Sequence, residues 1–130
     1  PYKRWSADRY AIIAQHLADQ GIQPVLIGTD AEQDITTLIK NQCDAALDLT
    51  GKTKLDHLPV LARNAVLALG NDTGPMHMIA PTGCPSVILF SKHSNPVRHA
   101  PKGNKVKTFQ VDDLEEMSID MVKMAIAEYL

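Results

Sequence analysis

Ala65-Val66-Leu67-Ala68-Leu69-Gly70-Asn71-Asp72-Thr73-Gly74-Pro75-Met76-His77 changes character twice within thirteen residues. Ala65 to Leu69 is apolar and uncharged, which reads as a buried strand. The residues that follow are those of a turn and a helix start: Thr73 or Asp72 can cap, Gly74 lets the backbone turn tightly, and Pro75 sits where no N–H is needed. A strand ending in such a turn leaves backbone donors at the mouth of a sheet. With the positive end of a helix behind them, these donors suit an anion such as a phosphate. His77 lies one turn in, where its ring could reach the same anion or a sugar hydroxyl.

Working outward, strand and helix signals alternate along the chain. Ser6 caps a helix with Tyr10, Ile13, Ala14 and Leu17 on one face, and Gly21 is placed to end it. Pro24 to Gly28 reads as a strand. Thr29 and Glu32 have capping-box spacing and open a second helix with Ile35, Leu38 and Ile39 facing inward. Ala45 to Leu49 is a further strand. A third helix carries Leu55, Leu58, Leu61, Ala62 and Ala65, and Pro59 places its regular start near Asp56 or His57. Pro81 limits the helix after the central turn to little more than a turn and a half. Pro85 to Phe90 is the clearest strand, Ser91 to Gly103 a loop, Lys105 to Val111 a partly exposed strand, and Ser118 caps a final helix with Ile119, Val122, Ala125, Ile126 and Tyr129 inward.

The first three strands are nearly free of charge, so they are expected to be buried on both faces. The fold class that follows is α/β: a Rossmann-like, mostly parallel sheet with helices on both faces. In such sheets the ligand lies beyond the carboxyl ends of the strands, which directs attention to the loops after Gly28, Leu49, Leu69 and Phe90.

Composition narrows the function classes. Apolar residues at 45% and charged residues at 22% describe an ordinary globular chain, and 130 residues suit one domain. Apolar runs of about seven residues fall short of the ~20 that cross a bilayer. A net charge of -2 with 5% aromatic residues gives neither the basic field nor the stacking platform of a nucleic-acid binder. Cys43 and Cys84 match no metal or redox spacing and read as buried thiols in a reducing cytoplasm. The chain begins at Pro1-Tyr2-Lys3-Arg4-Trp5 without an initiator Met, at the approach to a helix, and is expected to be a fragment whose preceding strand has been cut away.

Asn71-Asp72-Thr73-Gly74-Pro75-Met76-His77, followed by Gly83 to Phe90, resembles the signature of the bacterial heptosyltransferases, the lipopolysaccharide-core enzymes that use ADP-heptose. Lys3-Arg4-Trp5, Gly28 with Glu32, and the Leu55 to Ala65 helix match in the same order. The resemblance covers essentially all of residues 1–130 and implies the C-terminal, donor-binding half of a two-domain GT-B glycosyltransferase of family 9. Pro81 departs from it, standing where the family continues its helix with Ala. The upstream acceptor domain, which supplies the aspartate general base in that family, is expected to precede this stretch.

Residue by residue, the resemblance implies that Lys3 pairs with the nucleotide diphosphate and Glu32 accepts from the ribose hydroxyls. Asp72 would hold sugar hydroxyls, the N–H groups of Thr73 and Gly74 would bind phosphate oxygens, and His77 would contact the diphosphate side of the donor. Lys3 and His77 would then stabilise the leaving group, with no catalytic base in this stretch, no metal and no cofactor beyond the nucleotide sugar. The implied partners are that donor and a lipid-linked saccharide acceptor, with no nucleic acid and no transmembrane segment. The implied location is the cytoplasm, with peripheral attachment to the inner membrane as a further expectation.

Each residue also has a structural role open to it. Glu32 completes a capping box, Asp72 and Thr73 are ordinary caps, His77 alone is an ordinary surface or core histidine, and Lys3 alone is a solvated terminus. Trp5 is expected to cover the first helix, with His16 and His57 exposed. Lys92, Arg98, Lys102, Lys105 and Lys107 lie in a stretch without acids. That stretch is either a solvated loop and edge strand or a basic surface turned to the interdomain cleft. Two other functions fit the same turn: a non-catalytic nucleotide-binding or sensor module, and the half-domain of another GT-B transferase or epimerase.

Overall fold

The computed structural model describes residues 5–71, 74–91, 106–111 and 117–130. The chain divides into two compact units, residues 6–54 and residues 1–5 with 55–130.

In the first unit, helix α1 (Ala7–Asp19) opens at Ser6, whose Oγ accepts the Arg9 N–H at 3.3 Å. It closes through Gly21, at φ 81°. The Gly21 N–H donates to the Ala18 carbonyl and the Ile22 N–H to the Leu17 carbonyl, both at 3.0 Å, a pairing that absorbs the carbonyls left over at a helix end. Ala11, Ile13 and Ala14 are buried, and α1 packs on α2 (Gln33–Gln42). Between them Ala14, Cys43 and Ala46 form a small core with Leu26 against it.

Strand β1 (Val25–Leu26) pairs in parallel with β2 (Leu47–Asp48). Leu47 N–H to Pro24 O, Leu49 N–H to Leu26 O and Gly51 N–H to Gly28 O carry the ladder from Pro24 to Gly28, the extent that the sequence suggests. Lys40 Nζ donates to the Ala46 carbonyl at 2.7 Å and to the Asp44 carbonyl, tying the end of α2 to the start of β2.

The second unit runs through a 3-10 turn, Leu55–His57, into α3 (Leu58–Arg63), with Pro59 in the first turn as expected. Then come β3 (Ala68–Asn71), α4 (Gly74–Ile79), a 3-10 turn at Ala80–Thr82, β4 (Ser86–Ser91), β5 (Val106–Val111) and α5 (Ile119–Ala127). The sheet order is β3-β4-β5, all parallel. Ser118 caps α5, its Oγ accepting the Met121 N–H at 3.1 Å, and Val122, Ala125 and Ile126 are buried. Val87, Ile88 and Leu89 of β4 are 0% exposed, which makes that strand the centre of the core.

Several expectations are corrected. The strand before the central turn starts at Ala68 rather than Ala65, because its ladder begins where the Ala68 N–H meets the Pro85 carbonyl. The first three strands are not buried on both faces: the register partners Val25 and Leu47 are 42% and 49% exposed, and Ala68 to Gly70 are half-buried. Leu38 is also exposed, and Thr36 joins Ile39 as the buried side of α2. Ala65 lies beyond the end of α3 and is exposed. His16 is half-buried and shares a 2.8 Å hydrogen bond with Gln20, while His57 is exposed.

Lys107 is half-buried rather than free in solvent. It pairs with Glu128 and lies 5.8 Å from the Tyr129 ring centroid, holding β5 to the end of α5. Lys92, Arg98, Lys102 and Lys105, with most of the 91–103 loop, lie outside the described residues. Both cysteines are buried and unpaired with each other, and burial pushes the Cys84 thiol up, as suits a packing residue. Among the described residues, no helix is long and apolar enough to cross a membrane.

Candidate functional site

The loops at the carboxyl ends of β1 and β2 meet within the first unit. After β1 the chain turns at Gly28 into Thr29, which caps a 3-10 turn, Asp30–Glu32, leading into α2. The Thr29 N–H donates to Glu32 Oε2 at 3.0 Å, the Thr29 hydroxyl donates to the same oxygen, and Thr29 Oγ1 accepts from the Ala31 N–H at 3.3 Å. This is the capping box that the spacing predicts. A Cβ at position 28 would stand 3.1 Å from Glu32 Cβ, so the glutamate stem rests against bare backbone.

After β2, Asp48 begins a turn whose Thr50 N–H donates to Asp48 Oδ1 at 2.9 Å, and Thr50 is buried. Gly51 follows at φ 72°, and its N–H bonds to the Gly28 carbonyl at 2.8 Å. Its bare Cα lies under the Asp30 carboxylate, whose Oδ1 occupies the place that a Cβ would take. Sequence reasoning missed this interlock of Asp30, Asp48, Thr50 and Gly51. The local signal was available, since an Asp two residues before a buried turn amide and three before a Gly is a recurrent turn pattern. The Asp30 contact, by contrast, spans 21 residues.

The Thr50 side chain first, then the Thr50 N–H, and more weakly Gln33 and Lys52, hold the Asp48 carboxyl below its usual range against a small opposing effect of burial. A carboxyl depressed in the folded state adds stability above its unfolded value, near pH 3.9, and that contribution is lost as pH falls through the folded value. Solvent access keeps the increment small. Asp48→Asn is therefore expected to lower the melting temperature slightly at pH 7, with the difference from wild type closing as the pH falls below the ordinary carboxylate range.

In the second unit β3 turns into α4. A Cβ at Gly70 would come 3.0 Å from Met76 Sδ and 3.1 Å from its Cγ, so the glycine lets α4 fold back closely on the strand. Met76 is buried there. Trp5 belongs to this unit: its backbone N–H donates to Asn71 Oδ1 at 3.3 Å, and its Nε1–H donates to the Met117 carbonyl at 2.9 Å. Two polar anchors of Trp5 are thus the end of β3 and the segment before α5.

Of the residues predicted for the site, Glu32 stands at the end of β1 in the first unit. Gly74 and His77 start α4 in the second, three residues apart on one helix. Lys3, Asp72 and Thr73 lie outside the described residues. The chain at Trp5, two residues after Lys3, is bonded to Asn71, the residue before Asp72.

A family model described as "Glycosyltransferase family 9 (heptosyltransferase)" matches residues 1–126. Lipopolysaccharide heptosyltransferase 2 of Escherichia coli (strain K12) is 31% identical over 116 residues, which takes in 85% of this chain and 33% of that protein. The solved structure of E. coli ADP-heptose lps heptosyltransferase II has a TM-score of 0.89 at 26% identity, covering 99% of this chain and 42% of the other. The glycosyl transferase family 9 structure from Veillonella parvula DSM 2008 gives 0.91 at 25% identity, with the same coverage. The chain spans about a third of the length of the curated relative, and its α/β architecture is that of one part of a GT-B heptosyltransferase. With nearly every residue inside the family match, the chain belongs to glycosyltransferase family 9, the heptosyltransferases.

Proposed function

We propose that this chain is the donor-binding part of an enzyme that moves a heptose from an ADP-heptose-type nucleotide sugar to a lipopolysaccharide-core acceptor. The observation that carries the reading is the Trp5 bond to Asn71 at 3.3 Å. It ties the residue two after Lys3 to the strand end just before Asp72. The E. coli relative whose structure is named for ADP-heptose supports the choice of donor.

In this reading Glu32 accepts from the ribose, and Asp72 holds sugar hydroxyls. Lys3, His77 and the N–H groups of Thr73 and Gly74 surround the diphosphate. As the bond between the sugar's anomeric carbon and the diphosphate oxygen breaks, negative charge grows on the departing ADP. Charge-assisted hydrogen bonds of ~1.5–3 kcal/mol each stabilise it. The acceptor oxygen forms the new bond to the anomeric carbon, and its proton passes to a base supplied by the acceptor domain. No cofactor beyond the donor takes part. The reaction takes place in the cytoplasm, at the inner face of the membrane that carries the acceptor.

Calorimetric titration with ADP, UDP and GDP tests the reading. ADP is expected to bind at least ~10-fold more tightly than the other two, and His77→Ala to weaken ADP about 10-fold. Equal, weak binding of all three nucleotides would identify a degenerate binding module instead.

A further inference from the structure

The two oxygens of the Glu32 carboxylate are in different situations. Oε2 accepts from both donors of Thr29, the backbone N–H at 3.0 Å and the hydroxyl. A carboxylate oxygen offers about two acceptor sites, so these donors fill it. Oε1 has no hydrogen-bond partner among the described residues. The stem is equally constrained, because Glu32 Cβ seats against the bare backbone of Gly28. One end of the side chain is therefore packed and one oxygen is occupied, which leaves a single acceptor with a defined direction.

We propose that Thr29 is a positioning residue for ribose recognition: by occupying Oε2 it aims Oε1, and Glu32 accepts the ribose hydroxyls through that one oxygen. The inference rests on the reading of Glu32 as the ribose contact given under Proposed function. Thr29 does not touch the nucleotide in this scheme. It acts by removing the freedom of the carboxylate to rotate away or to spend Oε1 on its own helix start. The same two bonds stabilise the helix N-terminus, so stability alone cannot distinguish a cap from a positioning device.

The distinguishing quantity is the ratio of affinities for ADP and for 2′,3′-dideoxy-ADP, which differ only in the hydroxyls that Glu32 would accept. A general loss of folding or of loop order weakens both ligands together and leaves the ratio unchanged. Calorimetry on wild type, Thr29→Val, Thr29→Ala, Thr29→Ser and Glu32→Ala reads it directly. Thr29→Val, which keeps the branched shape and loses the hydroxyl, is expected to reduce the ratio roughly 3–10-fold, and Thr29→Ala to do the same. Thr29→Ser is expected to stay within about 2-fold of wild type, and Glu32→Ala to bring the ratio close to one. If Glu32→Ala leaves the ratio intact, the ribose role of Glu32 fails and the inference falls with it. If Glu32→Ala abolishes the ratio while Thr29→Val and Thr29→Ala keep the wild-type value, Glu32 reads the ribose without help and only the positioning role is overturned.

Discussion

Trp5→Ala is expected to lower the unfolding free energy by about 3–5 kcal/mol, measured by urea denaturation. The indole is 0% exposed, so truncation removes its buried apolar area and leaves a hole that a packed interior fills only in part. It also removes the donor that reaches the Met117 carbonyl at 2.9 Å across 112 residues. Trp5→Phe keeps a six-membered ring but loses the five-membered part of the indole with its Nε1–H, and is expected to cost about 1–3 kcal/mol for taking that donor from the buried Met117 carbonyl, plus the lost area. The alanine variant should also weaken ADP binding, since the stretch after Lys3 loses its anchor. If Trp5→Ala unfolds at the wild-type urea concentration, the indole is not part of the core that these contacts describe.

Gly51→Ala is expected to cost about 1–2 kcal/mol in the same assay, chiefly from its backbone conformation. The backbone at φ 72° is a left-handed conformation that disfavours a side chain by ~1–2 kcal/mol. The new methyl group would also meet Asp30 Oδ1, the far end of an exposed side chain that can swing into solvent at little cost while the Gly51 N–H keeps its 2.8 Å bond to the Gly28 carbonyl. Asp30→Ala in the same chain removes the collision but not the conformational strain. The double variant should therefore remain roughly 1–2 kcal/mol below Asp30→Ala alone. No loss of stability in Gly51→Ala would mean that the turn does not need its left-handed backbone.

What was legible in the sequence was local. Ser6, Thr29 with Glu32, and Ser118 stand at helix starts because their oxygens reach amides two or three residues on, and Gly21 ends α1 because it accepts a positive φ. The order of strands and helices follows from those punctuation marks and from apolar runs. Burial was less legible. Runs nearly free of charge at Val25 and Leu47 suggested enclosure, yet both are exposed, because scarcity of charge does not say what covers a face. Trp5 was recognised as a packing residue, but its partner Met117 lies at the other end of the chain. At the candidate site the capping box of Glu32 was readable from spacing alone. The seat of Asp30 over Gly51, and that of Met76 over Gly70, arise from chain segments that meet only on folding.

The ten largest fully buried side chains among the described residues are unevenly shared: Ile13 and Cys43 lie within 6–54, and the other eight lie in the second unit. Opening of a region costs little where little apolar surface must be exposed. The segment that carries Glu32 thus has the smaller reserve against transient opening, and its amide protons should exchange with solvent sooner than those of β4. A nucleotide held by Glu32 would draw that segment toward its closed form by mass action, so occupancy of the donor site would be written into the lifetime of the fold around α1 and α2.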